Sequence, residues 1–320
     1  MFEKYRYFIA LAKEKNITKA AETLYITHQA LSHYLTNLEQ ECGVMLFYRK
    51  PKFQLTEEGE LFLENIRQVE ALESSLYQHF EEVKEGNSGV IRLGTTEGRF
   101  PIFMPHLIGT YSQLFPHVQL EVTSANSPAL EEMLLNNQLD LIILGAPKKP
   151  SRFIQSRLIL EERLYVVISE EMLQQYFPQT YPACIQEFRH GADLRKFTHI
   201  PFAFNMPTYN SSQIIARLLQ QQQIELHCIH TSSHPDLHHR LTTLNYAASF
   251  CLTMYLPNLK LINQHTQNKL YAFPIRFLEE TNQLHLAYRK DRVFPSYGQA
   301  LIKLIREQCK PYTDYDPETI

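Results

Sequence analysis

From Glu57 to about Glu85 a single helical pattern runs without proline and with only one glycine, Gly59, near its start. That stretch separates two parts of different texture, and it most limits what the chain can become. Gly86, Asn87, Ser88 and Gly89 stop the pattern and form a joint. Ahead of it, residues 1–60 read as three helices followed by a short basic hairpin. Beyond Gly89, short apolar or β-branched runs at Val90–Gly94, Val118–Thr123 and Leu139–Leu144 alternate with helical patterns near 101–115 and 127–136. Such alternation predicts βαβ units and a parallel sheet. The expected fold is α/β with an all-helical N-terminal part. At 320 residues, two or more domains are expected.

Charge and apolar content exclude several classes. Lys plus Arg number 31 against 34 Asp plus Glu, a net charge of −3, which leaves no polybasic coat. A chain 44% hydrophobic and 20% charged is globular, not disordered. No apolar run approaches the roughly 18 residues of a membrane span, so no membrane partner is expected. The N-terminus holds six consecutive apolar residues, Tyr7 to Ala12, before charges resume, too few for a signal peptide. Five cysteines, Cys42, Cys184, Cys228, Cys251 and Cys309, share no C-x-x-C spacing. These features predict a reduced, cytoplasmic protein.

The first sixty residues are the most informative. Tyr5, Phe8, Ile9 and Ala12 make the apolar stripe of a first helix. Asn16-Ile17-Thr18 ends it, and Thr18 is read as the N-cap of a short second helix over Lys19–Leu24, where Ala20 and Ala21 admit a close neighbour. Thr27 caps a third helix to about Glu41, closed by Gly43. Leu31, Leu35 and Leu38 face inward, leaving His28, Gln29, Ser32, His33 and Thr36 opposite, with no carboxylate before Glu39. Those side chains are donors and acceptors of the kind that read base edges. Taken alone, the face is equally what any solvated helix presents. The flanking sequence shifts the balance: Val44–Phe47 reads as a strand, Tyr48 to Lys52 as a turn carrying Arg49, Lys50 and Lys52, and Phe53–Leu55 as the return. Three cations on a hairpin tip suit phosphate contact. Residues 1–60 nonetheless hold eight Lys or Arg and eight Glu, so placement carries the argument rather than bulk charge.

The run TKAAETLYITHQALSHYLTNLEQECGVMLF, followed by Arg49 and by Leu55-Thr56-Glu57-Glu58-Gly59, resembles the winged helix-turn-helix of LysR-type transcriptional regulators. The resemblance implies that the third helix enters the major groove while the hairpin touches the backbone. By matching position Thr27, His28, Gln29, Ser32 and His33 would face the bases, and Thr18 and Arg49 would hold phosphates. This chain departs from the family's usual residues: His28 replaces Gln, Gln29 replaces Pro and His33 replaces Arg. Losing that arginine removes a bidentate guanine reader, so the target sequence should differ from that of relatives.

Thr56 can cap the long helix, with Glu57 and Glu58 at its positive end. Phe62, Val69, Leu76 and Val83 recur every seven residues, with Ile66 and Phe80 on the companion stripe, Glu73 interrupting it and Leu72 beside it. The pattern predicts a coiled-coil seam of about three heptads, the competing reading being a helix packed on its own domain. A dimer would set two reading helices against a dyad-symmetric DNA site. The resemblance agrees and implies that tetramers are common.

Residues 89–309 lack G-x-S-x-G, G-x-x-x-x-G-K-[ST], G-x-G-x-x-G after a strand, and H-E-x-x-H, so no enzyme and no cofactor are expected. The resemblance implies an effector-binding domain of two α/β lobes, similar to periplasmic binding proteins. The expected domains are 1–60, a linker helix at 61–88, and 89–309, with a loose tail at 310–320. Crossovers near Glu162-Arg163-Leu164 and Lys269-Leu270 divide 89–309 into lobe I (89–163 and 270–309) and lobe II (164–269). Ligands of such folds lie at the carboxyl ends of strands against helix N-termini. By matching position, the resemblance implies that Thr96, Gly98 and Arg99, in the loop with Thr95 after the first strand, and Ser127, a good N-cap, contact a small-molecule effector, with Asn205 contributed by lobe II. Arg99 in a cleft would favour an anion; otherwise it pairs with Glu97 or faces solvent. The family's usual G-x-G turn is replaced by Ala247 to Leu252, without glycine. His227, Cys228, His230, His234, His238 and His239 cluster beside Asp236, but Pro235 and the strand alternation set them apart. Surface or cap histidines are expected there, and no metal. The functional expectation is a sequence-specific DNA-binding regulator. The alternative is a ligand-binding or enzymatic α/β protein with an N-terminal protein-interaction module.

Overall fold

The computed structural model describes residues 3–50, 52–85, 88–147, 151–313 and 315. Gly86 and Asn87 of the joint, Pro51 of the hairpin, the side chain of Val83 and most of the tail lie outside the described residues.

The N-terminal body packs α1 (Glu3–Glu14), α2 (Ile17–Thr23) and α3 (His28–Cys42) around Phe8, Leu11, Ala20, Ala21, Leu31 and Leu35. The cap of α2 is Asn16, not Thr18. Its Oδ1 accepts from the amides of Thr18 and Lys19 at 2.9 and 3.1 Å, because its extended backbone brings the short side chain over the first turn. Thr27 does cap α3, accepting from Ala30 N at 3.2 Å, and Gly43 closes the helix at φ +70°, a left-handed conformation that favours glycine. The hairpin is shorter than expected: β1 (Phe47–Tyr48) pairs antiparallel with β2 (Gln54–Leu55), while Val44 and Met45 stay exposed outside it.

Thr56 opens α4 (Glu57–Glu85), its Oγ1 accepting from Gly59 N at 2.9 Å while donating to Met45 O at 2.7 Å. A Cβ on Gly59 would lie 2.0 Å from Leu46 O, so only glycine lets the helix start against the hairpin. The opening turns of α4 complete the N-terminal core: Leu63 and Ile66 are buried, and the Phe62 ring meets Phe8 at 4.9 Å.

The rest of the chain comprises β3 (Gly89–Thr95), α5 (Phe100–Leu114), β4 (Val118–Ser124), α6 (Ser127–Leu135), β5 (Leu141–Gly145), β6 (Ile154–Glu162) and β7 (Leu164–Ser169). Then come α7 (Glu170–Tyr176), α8 (Ala183–Arg189), β8 (Pro201–Asn205), α9 (Asn210–Gln222), β9 (His227–Ser232), α10 (Pro235–Thr243) and β10 (Ser249–Leu252). It ends with α11 (Leu256–His265), β11 (Leu270–Pro274), β12 (Asn282–Arg289) and α12 (Ser296–Cys309). The first sheet has the order β4-β3-β5-β12-β6, parallel among β4, β3 and β5, with β12 antiparallel to β5 and β6. The second has the order β10-β7-β11, and Phe202 bridges to Ala248 to attach the parallel pair β8-β9. Each sheet covers a separate apolar cluster, one around Ile91, Leu107 and Leu286, the other around Val166, Phe188 and Phe202.

The chain crosses between the lobes twice. The first crossing is Arg163 alone, between β6 and β7. Its amide donates to Thr253 Oγ1 at 3.0 Å and its carbonyl accepts from Thr253 N at 3.1 Å. The second does not fall at Lys269-Leu270. β11 pairs antiparallel with β7 from Leu270↔Ser169 to Pro274↔Tyr165, since its apolar run fills the second sheet. The return to lobe I therefore occurs over residues 275–281, and lobe I resumes at β12.

Candidate functional site

The exposed side of α3 carries Thr27, His28, Gln29, His33 and Thr36, with Ser32 partly buried. The inward leucines fix this orientation: Leu31 and Leu35 are fully buried, so the residues between them are driven outward. Asn37 Nδ2 donates to His33 Nδ1 at 3.1 Å, which leaves His33 Nε2 as its free ring nitrogen. Thr36 Oγ1 bonds back to Ser32 O at 3.0 Å. Thr18 is exposed beside this face, and Lys50 and Lys52 are exposed on the hairpin.

Arg49 does not point freely to solvent. Its Nη2 meets Glu39 Oε2 at 2.6 Å and its Nη1 donates to Phe47 O at 3.2 Å, with the guanidinium over the Phe53 ring at 5.7 Å. Glu39 is only 8% exposed and also accepts from Leu46 N at 2.8 Å and Phe47 N at 3.1 Å. Sequence reasoning noted Glu39 only as the first acid on the reading face. Spacing along the helix carries no signal for this role, since Thr36 follows the inward Leu35 in the same way and is exposed.

On α4 the expected seam divides in two. Ile66 is buried in the N-terminal core and Phe62 is partly buried against it, where the helix start is clamped at Gly59. Val69 is partly buried, whereas Leu72, Leu76, Tyr77 and Phe80 are 51–59% exposed.

Between the lobes, Thr95 ends β3 and the segment after it holds Thr96, Gly98 and Arg99. Arg99 neither pairs with Glu97 nor reaches solvent: it is buried, with Nη2 2.7 Å from Glu162 Oε2. Glu162, fully buried at the end of β6, also accepts from Met254 N at 3.3 Å and from Asn282 Nδ2 at 3.2 Å. Asn282 in turn accepts from Asn210 Nδ2 of lobe II at 2.9 Å, and Tyr255 OH donates to Gly98 O. The Arg99 charge is thus answered inside the protein, and it offers no spare cation to an anionic ligand. Ser127 is not the cap of α6: Asn126 is, accepting from Ala129 N at 3.0 Å, because Pro128 then falls at the second helical position. Thr95 Oγ1 and Asn205 Oδ1 are buried and have no hydrogen-bond partner among the described residues.

The histidine cluster is less superficial than expected. His227 and His234 are exposed, and His234 is the N-cap residue of α10, but His238 and His239 are buried. The apolar stripe of α10 is too short to cover its share of the second sheet, so imidazoles fill it. His238 Nε2 meets Ser232 Oγ at 2.8 Å, and the His239 ring stands 5.6 Å from Tyr255. Burial pushes His238 down to about 4 and His239 to about 3. Among the described residues no group of three or more His, Cys, Asp or Glu is arranged to hold a metal ion, and no helix is long and apolar enough to cross a membrane.

Residues 2–60 match the family described as bacterial regulatory helix-turn-helix protein, lysR family, and residues 84–310 match the LysR substrate binding domain. An uncharacterized HTH-type transcriptional regulator from Bacillus subtilis, YybE, is 33% identical over 174 residues, 53% of this chain and 58% of the relative. A probable RuBisCO transcriptional regulator from Synechocystis sp. is 25% identical over 323 residues, covering 99% of this chain and 89% of the relative. Several matches span little more than half of the relatives' own lengths, 56% for the probable RuBisCO transcriptional regulator of Thalassiosira pseudonana. Among solved structures, CbnR complexed with its target DNA superposes with a TM-score of 0.55 at 17% identity, covering 96% of this chain and 99% of that one. A full-length OxyR variant from Pseudomonas aeruginosa gives 0.63 at 17% identity, covering 96% and 93%. At such identities the likeness is one of fold.

Proposed function

The chain belongs to the LysR family of transcriptional regulators, and on that premise we propose that it reads double-stranded DNA as a twofold pair under the control of a small molecule held between its lobes. One observation carries the DNA reading: an exposed, acid-free face on α3 beside a cationic hairpin. In this reading Thr27, His28, Gln29, Ser32, His33 and Thr36 meet base edges, while Thr18, Lys50, Lys52 and the edge of Arg49 meet phosphates. Because His33 takes the place of an arginine, it offers the groove one ring nitrogen instead of a bidentate fork.

The test is a titration of protein onto duplex DNA at about 50 and about 200 mM salt, conditions between which phosphate-driven binding falls steeply. Affinity is expected to drop as salt rises. His28→Ala is expected to lose roughly 1–3 kcal/mol of preference at one position of each half-site. Equal loss on every sequence would move His28 from bases to phosphate. No binding at either salt would favour the protein-interaction reading of the N-terminal body.

Leu72, Leu76, Tyr77 and Phe80 support self-association through the distal part of α4, since together they form an exposed apolar stripe on one helix. Val83 continues the same repeat in the sequence, and Val69 stands at its inner end. Leu76→Glu is expected to halve the mass measured by light scattering, and an unchanged mass would remove this stripe from the interface. A tetramer would be two such pairs.

For the effector, Thr95, Thr96, Gly98, Ser127 and Asn205 supply hydroxyl, backbone and amide groups where the two lobes meet. The buried, unpartnered oxygens of Thr95 and Asn205 support a hydrogen-bonding small molecule at this place. With Arg99 committed to Glu162, the earlier expectation of an anion is not carried forward.

A further inference from the structure

We infer that Glu39 is a positioning residue for DNA recognition: it restrains Arg49, lowering sequence-independent attraction to phosphates and reserving that cation for a correctly docked duplex. The inference rests on the DNA reading proposed above. Glu39 lies on the reading helix itself, three residues beyond Thr36 and within the last turn of α3. A carboxylate there is unfavourable to the helix dipole and to a neighbouring polyanion. It is nonetheless buried, with every contact directed at the hairpin.

One oxygen, Oε1, accepts from the successive amides of Leu46 and Phe47 and so fixes the entry angle of β1 against α3. The other, Oε2, takes Arg49 Nη2 at 2.6 Å, and Arg49 Nη1 is tied to Phe47 O. The Arg49 side chain keeps 38% of its surface exposed, so its outer edge remains available while its charge is largely answered from behind. Lys50 and Lys52 are exposed farther along the tip, and among the described residues neither is bonded to Glu39. Arg49 Nη1 also lies 3.5 Å from Oε1, but the short ion-pair contact is on Oε2 and the amide contacts are on Oε1, so a neutral isostere weakens the first while keeping the second.

Glu39→Gln keeps an oxygen for the Leu46 and Phe47 amides but presents an NH2 group to Arg49, a donor facing a donor. The wing stays attached and Arg49 is released. On a random-sequence 30-base-pair duplex the variant is expected to bind about three- to tenfold tighter than wild type, with the slope of log affinity against log salt steeper by up to about 0.9, the share of one phosphate. On the best-retained sequence from a random pool selected with wild type, affinity is expected to rise less, so the ratio of specific to nonspecific binding falls. Adding Arg49→Ala to Glu39→Gln is expected to erase the gain and restore the wild-type slope.

A purely structural Glu39 would predict the opposite: weaker binding to both duplexes, an unchanged slope and a lowered thermal midpoint. Wild-type binding that weakens with salt, together with a Glu39→Gln slope and ratio equal to wild type, would overturn this inference and leave the DNA reading standing. Wild type that ignores both duplexes would overturn the reading itself, and this inference with it.

Discussion

Arg99→Met is expected to destabilise the effector domain by roughly 3–5 kcal/mol, the cost typical of removing one partner from a buried ion pair. Glu162 is fully buried, and among the described residues Arg99 is the guanidinium paired with it, at 2.7 Å. Without it the carboxylate keeps two neutral donors, Met254 N and Asn282 Nδ2, which satisfy lone pairs but not charge. The double variant Arg99→Met with Glu162→Leu is expected to recover most of the loss, since an apolar pair of similar volume avoids desolvating two ions. Urea denaturation of the four proteins in the cycle measures the coupling. A single-variant cost below about 1 kcal/mol would mean that water reaches Glu162 and that the pair is not isolated.

Acidification is expected to unfold lobe II through its buried imidazoles. His238 and His239 ordinarily titrate near 6.5, and in the folded protein burial lowers them to about 4 and about 3. Between these values the unfolded chain binds more protons than the folded one, so stability falls as pH decreases from about 6.5 and is largely spent by about 4. A shift from 6.5 to about 4 corresponds to about 3 kcal/mol for His238 alone. Neither nitrogen of His239 has a partner among the described residues. His239→Leu is therefore expected to keep neutral-pH stability close to wild type and to move the acid-unfolding midpoint down, read by circular dichroism. The exposed His265 serves as control: His265→Leu should leave the midpoint in place. An acid midpoint that ignores His239→Leu would assign the transition to the carboxylates instead.

Much of the N-terminal body was legible because its determinants are local. The leucine spacing of α3, the Thr27 cap, Gly43 and the Thr56-x-x-Gly59 turn all act within a few residues, and each forms as read. The errors there concern near-equivalent neighbours. Asn16 and Thr18 both cap well, and only the backbone at Asn16 decides between them. Likewise Asn126 precedes Ser127 by one place. What the heptad pattern could not reveal is that Phe62 and Ile66 serve an intramolecular core, because periodicity is blind to which surface an apolar stripe covers.

The interlobe site was less legible because its partners are distant in sequence. Arg99 and Glu162 are 63 positions apart, and Glu162 read only as part of the first crossover between lobes. The lobe boundary at Lys269-Leu270 failed for a related reason: β11 and β12 are both apolar strands, and pairing with β7 or with β6 is a tertiary choice. The buried histidines show the same limit from the other side, since a polar residue type argued for the surface where the sheet required filling.

The two connections between the lobes differ in kind, and this shapes how they can move. Arg163 is a single residue riveted at both its amide and its carbonyl to Thr253, whereas residues 275–281 form a longer strap tied to lobe II by the Ile275–Ala192 bridge, by Arg276 N donating to Ala192 O at 3.0 Å and by the Arg217–Glu280 ion pair. A panel hung on a pin at one side and on a stitched strap at the other turns about the line that joins them. Relative displacement of the lobes should thus be a rotation about the line from Arg163 to the strap, with the rim farthest from that line travelling most.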